Sequence, residues 1–97
     1  MPKPGFVYVM ASKPYGTLYI GVTNNLEKRV FQHKSGTYQS FVKRYRVYRL
    51  VYFESFNDIR DAIAREKQLK NWRRKWKIGL IESVNPKWLG LAMEDLY

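Results

Sequence analysis

Residues 5–33 read GFVYVMASKPYGTLYIGVTNNLEKRVFQH and contain two short apolar runs joined by a Pro/Gly loop. The runs cover residues 6–10 and 17–22, and both are rich in β-branched and aromatic side chains. Such runs on either side of a turn signal predict two strands of an antiparallel hairpin. Each predicted strand carries one tyrosine, Tyr8 on the first and Tyr19 on the second.

A helical pattern follows the hairpin over Leu26–Lys34, between an N-cap cluster of Thr and Asn and a Ser-Gly stop. At about 100° per residue, Arg29 and His33 lie on the same face as Leu26 and Val30. A guanidinium can hold a phosphate through two parallel hydrogen bonds, and an imidazole can move a proton near neutral pH. The alternative for His33 is a packing or solvated role on the helix surface.

The remaining sequence predicts a third strand and two further helices. The predicted strand is 47–54, and the helices run from a cap at Asn57 or Asp58 to about Asn71 and from about 73 to 83. Residues 37–46 are polar, basic and aromatic and are interpreted as a surface loop, while the apolar residues of the tail could pack back as a short helix. We therefore predict one domain over residues 1–97, of the α+β class, with a small three-stranded antiparallel sheet flanked by helices in the order β-β-α-β-α-α.

The charge balance is strongly basic. The chain has 97 residues, with 18 Lys and Arg against 8 Asp and Glu, a net charge of +10 and a pI of about 10.0. This excess on a small surface favours a polyanionic partner, with nucleic acid the first expectation and an anionic membrane surface the second. The simpler alternative is a soluble basic protein.

Metal chemistry is limited by composition. The chain has no Cys and a single His, so thiolate sites and a multi-histidine zinc site within one chain are excluded. A metal would have to bind oxygen ligands, as Mg²⁺ or Mn²⁺ does. The apolar runs are too short for a signal peptide or a membrane span, so we expect a cytosolic (cytoplasmic) protein.

One carboxylate occupies an unexpected position. Glu66 lies in the middle of the apolar stripe of the second predicted helix, whose members are Ile59, Ala62, Ile63 and Leu69. A carboxylate on a buried stripe is costly unless it is paired or binds a metal. The alternatives for Glu66 are a metal ligand, a salt bridge to Arg29, or a position at the rim of the core.

A basic stretch follows Glu66 and suits contact with phosphates. Its cations are Arg65, Lys67, Lys70, Arg73, Arg74, Lys75 and Lys77. Trp72 and Trp76 are interleaved with them and could stack on unpaired bases, or they could belong to the core beneath a solvated helix face. We favour the core for the tryptophans and phosphate contact for several of the cations.

The order of these residues resembles the GIY-YIG nuclease family, most closely its small stand-alone bacterial members. The resemblance rests on Phe6-Val7-Tyr8, on Tyr19-Ile20-Gly21, and then on Arg29 with His33, on Glu66 within residues 62–72, and on Asn85-Pro86. It covers residues 4 to 88. Phe6 stands in place of the first motif's leading glycine, and Val22 stands where repair-type relatives carry a lysine. Another cation, for which Arg29 is available, would then have to lower the pKa of a tyrosine.

The resemblance implies a DNA endonuclease that hydrolyses phosphodiesters with one divalent metal, Mg²⁺ or Mn²⁺. It further implies that Tyr8 and Tyr19 position or activate the attacking water, that Arg29 binds the scissile phosphate, and that His33 assists proton transfer. Glu66 would be the sole protein ligand of the metal, and Asn85 would support the site. General-base character stays open among Tyr8, Tyr19 and His33.

The leading hypothesis from the sequence is thus a metal-dependent DNA endonuclease. A non-catalytic nucleic-acid-binding module on the same fold is the alternative, and a membrane-surface or protein-interaction module is a weaker third. The expected partner is DNA, which could be branched or damaged, as in DNA repair or recombination. A monomer is the default expectation.

Overall fold

The computed structural model describes residues 3–35 and 40–91. Its elements in chain order are β1 (Gly5–Ala11), β2 (Leu18–Thr23), α1 (Leu26–Lys34), α2 (Ser40–Tyr45), β3 (Arg49–Phe56), α3 (Ile59–Lys70) and α4 (Arg74–Val84). The predicted fold class, an α+β arrangement of three antiparallel strands and flanking helices, is confirmed. The single domain over residues 1–97 includes residues outside these ranges and stays a prediction.

The sheet has the strand order β2-β1-β3, so β1 is central and β2 and β3 form its two edges. In the antiparallel pairing of β1 with β2, Tyr8 is opposite Gly21 and Met10 is opposite Tyr19. Residues that are paired in this way point to the same face of a sheet. Both motif tyrosines therefore lie on one face, which we call the front face.

Helices cover both faces of the sheet. On the front face, Tyr8 and Met10 pack with Leu26 and Val30 of α1 and with Val42 of α2. On the opposite, rear face, the β-strand side chains pack with α3, with α4 and with the turn after α4, through Ala62, Leu69, Ile81 and Trp88. Because both faces are buried, the strands have almost continuous apolar sequences rather than alternating ones.

The segment 37–46 was predicted to be a surface loop, and this prediction is wrong for the part of it that the structure describes. Residues 40–45 form α2, and only residues 37–39 of that segment lie outside the described ranges. Val42 is buried in the front core, and its carbonyl accepts from the backbone N–H of Val47 at 3.1 Å. A single buried side chain in six residues gives no helical period, so the sequence pattern did not reveal this helix.

Two smaller expectations also change. Strand β3 runs from Arg49 to Phe56, two residues later than predicted at each end. Trp76 was expected in the core but is 53% exposed, while Trp88, in the turn after α4, is fully buried. The short helix predicted for the tail falls largely on residues 92–97, which lie outside the described residues.

A bidentate ion pair fixes the rotation of α3 over the rear face. The guanidinium of Arg65 donates to the two carboxylate oxygens of Glu54 on β3, at 2.9 and 3.0 Å. Tyr52 donates its hydroxyl to the same carboxylate. Burial opposes ionisation of Glu54, but the hydrogen bonds from Arg65 and Tyr52 outweigh it and hold the pKa of this carboxyl below its ordinary value. The Arg65 side of α3 thus faces the β3 edge.

The close approach of Tyr8 to Gly21 gives the first prediction. A Cβ at Gly21 would lie 2.4 Å from the Tyr8 hydroxyl oxygen, whereas a Cβ at Gly79 in α4 would meet nothing within 4 Å. We expect Gly21→Ala to lower the free energy of unfolding by about 1–3 kcal/mol through overpacking. The matched substitution Gly79→Ala should be neutral or stabilise by up to about 1 kcal/mol. Urea unfolding measures both, and equal values for the two variants would contradict the proposed contact.

Candidate active site

Three of the predicted residues meet on the front face. The Tyr8 hydroxyl lies 3.0 Å from Nε2 of His33, and an Nη1–H of Arg29 donates to the same hydroxyl oxygen at 3.4 Å. The helical spacing that placed Arg29 and His33 on one face of α1 is what lets both reach a single phenol. Arg29 is therefore a cation in direct contact with Tyr8.

The hairpin register explains how Tyr8 reaches α1. Its ring crosses β2 above Gly21, where a side chain would block it, and its hydroxyl emerges beneath the helix. Helix α1 begins directly after β2, with the Asn25 side chain accepting from the backbone N–H of Lys28 at 3.0 Å. This cap starts the helix at Leu26, so that Arg29 and His33 come round to the sheet.

Tyr19 completes the cluster from the edge strand. Its ring centroid is 6.2 Å from that of Tyr8 and 5.3 Å from that of His33, with edge-on geometry to the imidazole. Tyr8 is fully buried, whereas Tyr19 is partly exposed and lines an open cleft. Of the two phenols, Tyr19 is the one that a bound molecule can touch.

His33 is fully buried and neutral at physiological pH. Burial is the main cause and lowers its pKa to about 4; the Val47 backbone opposes this shift, and the charge of Arg29 adds to it. A neutral imidazole can accept a hydrogen bond on one ring nitrogen, so the Tyr8 hydroxyl donates to Nε2. The Tyr8 hydroxyl is thus held by the imidazole, whose lowered pKa makes it a weak base toward a phenol.

Glu66 lies in the rear layer, on the side of α3 that carries Lys70. Arg65 faces β3 through its pair with Glu54, and the next residue is rotated by about 100° around the helix, toward the opposite edge strand. The Glu66 side chain is only 15% exposed and pairs with Nζ of Lys70 at 3.4 Å. Lys70 in turn lines the same cleft as Tyr19.

The cleft along β2 joins the two layers. Its volume is about 400 Å³, and its described lining is Leu18, Tyr19, Ile20, Phe41, Lys70 and Lys77. It brings a phenol of the front face next to two cations from α3 and α4. A second, smaller cleft of about 130 Å³ is lined by Arg29 and by residues around the start of α1. These openings give solvent access to a cluster that is otherwise buried.

Asn85 has its polar atoms engaged in the backbone after α4. Its amide nitrogen donates to the carbonyls of Val51 at 3.0 Å and Leu89 at 2.9 Å, and its oxygen accepts from the N–H of Leu89 at 3.0 Å. These bonds tie the end of α4 to β3. The structure thus gives Asn85 a supporting position on the rear layer and does not bring it to the tyrosine cluster.

The predicted phosphate-binding cations divide into two groups. Arg65 is bound to Glu54, and Arg74 donates to the carbonyls of Tyr15 and Gly16 at 2.6 and 2.7 Å. The others reach solvent to different degrees, Lys70 with Glu66 and Arg73 over the Trp76 ring at 5.6 Å. The members of this exposed group are Lys67, Lys70, Arg73, Lys75 and Lys77.

A metal bound here would have few protein ligands. Among the described residues, no group of three or more His, Cys, Asp or Glu side chains converges on a point. Glu66 is a partly buried carboxylate beside a cleft lined by cations. Mg²⁺ commonly binds one or two carboxylates and fills its other positions with waters and substrate phosphates.

Phe41 was missed by the sequence reasoning. It lies on α2, contacts the Tyr19 ring at a centroid distance of 6.1 Å and lines the β2 cleft. The interpretation of residues 37–46 as a loop left it out. The available signal was the unusual mixture of aromatic and basic side chains in that segment.

These features define a class: a small α+β domain with a Tyr-Tyr-Arg-His cluster on a hairpin and helix, and a carboxylate on a later helix. The family model of the GIY-YIG catalytic domain matches residues 4–79. The chain therefore belongs to the GIY-YIG family, whose members are generally nucleases that use a divalent metal and act on nucleic acid. The resemblance inferred from the motifs is confirmed.

Several bacterial proteins are similar over most of their length. A UPF0213 protein of Clostridium perfringens is 39% identical over 82 residues, covering 84% of this chain and 87% of its own. A UPF0213 protein of Bacillus pumilus is 39% identical over 84 residues, covering 87% and 86%. One of Staphylococcus saprophyticus is 34% identical over 76 residues, covering 78% and 92%. No solved structure matches.

Within residues 3–35 and 40–91, no helix combines the length and the apolar character needed to cross a membrane.

The depressed pKa of His33 makes folding stability depend on pH. An unfolded histidine, with its pKa near 6.5, binds more protons than folded His33 between about pH 6.5 and 4, so the free energy of unfolding falls as the pH is lowered through this window. From pH 7.5 to 5 we expect a loss of about 2 kcal/mol from this residue. His33→Gln, which can still accept from Tyr8, should lack this loss. Urea unfolding at several pH values measures the difference, and parallel profiles would refute the assignment.

Proposed function

We propose that this protein is a metal-dependent DNA endonuclease that hydrolyses a phosphodiester by attack of water, with one divalent metal. The observation that carries the proposal is the hydrogen-bonded cluster of Tyr8, His33 and Arg29, built beside a cleft that contains Tyr19 and Lys70, the ion-pair partner of Glu66. A nucleic-acid-binding module without catalysis needs no neutral imidazole bonded to a buried phenol. The alternative is a non-catalytic DNA-binding module, which would bind DNA without cleaving it.

Tyr19 is the phenol proposed to contact the attacking water, because it faces the cleft. Tyr8 is buried and acts as a positioning residue: its oxygen accepts from Arg29 and its proton is directed at His33. The positive charge of Arg29 lies next to the Tyr8 hydroxyl. A fixed positive charge favours the negative charge that develops when a nearby water loses a proton.

Arg29 is proposed to bind the scissile phosphate. A guanidinium presents N–H donors in a planar fork whose geometry matches that of a phosphate. Arg29 also lines the small cleft at the start of α1, which is open to solvent. As negative charge increases on the phosphoryl oxygens in the transition state, a preorganised guanidinium stabilises it more than it stabilises the ground state.

Glu66 is proposed to hold the metal, either Mg²⁺ or Mn²⁺, with water and phosphate oxygens as the other ligands. When bound, such an ion polarises the phosphate and stabilises the leaving oxygen. In the structure Lys70 forms an ion pair with the Glu66 carboxylate, and the Lys70 side chain is 53% exposed. Displacing it from Glu66 therefore moves a flexible ammonium toward solvent, where it can contact a neighbouring phosphate.

The catalytic assignment predicts a loss of cleavage with retained binding. Glu66→Gln should reduce Mg²⁺- or Mn²⁺-dependent cleavage of supercoiled plasmid and branched DNA by about 100-fold or more. Tyr19→Phe should also lower the cleavage rate in this assay, and EDTA should abolish cleavage by the wild type. The matched control is Asp61→Asn, which removes an exposed carboxylate from the same helix and should retain activity.

The outcomes distinguish the proposed functions. Cleavage that survives Glu66→Gln would remove the metal-ligand assignment. Absence of cleavage by the wild type on every substrate, with binding intact, would favour the non-catalytic module.

The exposed cations of α3 and α4 are proposed to bind the DNA backbone. Lys77→Gln removes a cation that lines the β2 cleft and is not the partner of Glu66. We expect the plot of log binding constant against log salt concentration to become shallower by about 0.7–0.9. Lys87→Gln removes an equal charge from the turn after α4 and serves as the control. Measurement is by fluorescence anisotropy in EDTA, and identical slopes for the two variants would contradict a phosphate contact at Lys77.

A further inference from the structure

Helix α2 places an exposed aromatic pair beside the cleft. Phe41 and Tyr45 are one helical turn apart, 41% and 43% exposed, with ring centroids 4.7 Å apart. The guanidinium of Arg44 lies 5.6 Å from the Tyr45 ring centroid. Exposed aromatic rings with an adjacent arginine are the usual components of a surface that stacks on nucleobases.

Phe41 separates two open clefts. One is the β2 cleft, which contains Tyr19 and the cations Lys70 and Lys77. The other, of about 350 Å³, is lined by Ser40, Phe41, Arg44 and Tyr45. Among the described residues that line these two clefts, there is no carboxylate. A flat apolar wall between cationic openings matches the alternation of base and phosphate along a nucleic-acid strand.

We propose that Phe41 and Tyr45 form a stacking site for an unpaired nucleobase of the DNA, next to the phosphate bound at the cleavage site. The inference rests on the proposed function for the identity of the ligand. A base inside a duplex has both faces covered by its neighbours, so it cannot stack on these rings. The site therefore favours DNA with an unpaired nucleotide beside the scissile bond.

A core role does not account for these two rings. The α2 residue that packs in the front core is Val42, which is fully buried. The rings of Phe41 and Tyr45 keep two-fifths of their surface exposed instead. Phe31 of α1 is a useful comparison, because it is a more exposed aromatic, at 70%, on the helix face away from His33.

The test is direct binding in EDTA, where no cleavage can occur. Phe41→Ala and Tyr45→Ala should each weaken binding of a ten-nucleotide single strand by about tenfold or more, with duplex affinity changed less than twofold. Phe31→Ala is the matched control and should leave both affinities unchanged. Phe41→Trp keeps an aromatic face and should restore single-strand binding.

Two results would overturn the inference. One is a loss for the Phe41 and Tyr45 variants no larger than that for Phe31→Ala; the other is an equal loss on single-stranded and duplex DNA. If the alanine variants do not fold, an abasic-site scan of the strand with the wild-type protein decides. Affinity should fall about tenfold at one or two positions, and a flat scan refutes the site.

Failure of this inference and failure of the nuclease proposal have different signatures. If the wild type binds single strands selectively through Phe41 but does not cleave DNA, the stacking site is supported and the nuclease proposal is rejected. If the wild type cleaves DNA in a metal-dependent way but the Phe41 and Tyr45 variants bind normally, the nuclease proposal is supported and the stacking site is rejected.

Discussion

The passage of the Tyr8 side chain over Gly21 is the constraint on which the front face depends. The antiparallel register places the two residues opposite each other, and the phenol occupies the volume that any side chain at Gly21 would need. The hydroxyl is thereby carried across the edge strand to α1. There it is fixed by Arg29 and His33, so one glycine links the pairing of two strands to the position of a guanidinium and an imidazole.

The rear layer is positioned by a different interaction. The bidentate pair of Arg65 with Glu54 turns α3 so that its buried line, Ala62 and Leu69, faces the sheet and its two flanks face the two edge strands. Glu66 consequently lies at the edge occupied by β2. A planar guanidinium bound to a partly buried carboxylate restricts rotation better than a lysine would, because both hydrogen bonds must be kept. Metal binding at Glu66 would thus depend on a pair made at the opposite edge.

Most of the fold could be predicted from local signals. The hairpin, α1 and its cap have strong turn and cap residues, and α3 and α4 have clear periodicity, so these elements were found within one or two residues. Helix α2 could not be predicted, because it depends on tertiary burial of Val42 and has few helix-favouring residues. The adjacency of Arg29 and His33 followed from the helical period, whereas their proximity to Tyr8 was implied by the family resemblance. The place of Glu66 did not follow from the helical period, since it depends on the long-range pair of Arg65 with Glu54.

The basic composition needs the same distinction between local and long-range effects. Seven cations in residues 65–77 suggested a continuous phosphate-binding surface. Two of them make internal contacts instead: Arg65 holds α3 to β3, and Arg74 holds α4 to the β1–β2 loop. Their planar forks satisfy two acceptors at once, which suits fixed structural positions. The lysines, with flexible stems and strongly hydrated ends, are the residues left at the surface and along the cleft. Arg65 and Arg74 thus hold the helices in place, and the surface proposed to bind phosphates consists of Arg73 and four lysines, whose flexible side chains could follow a moving phosphate backbone.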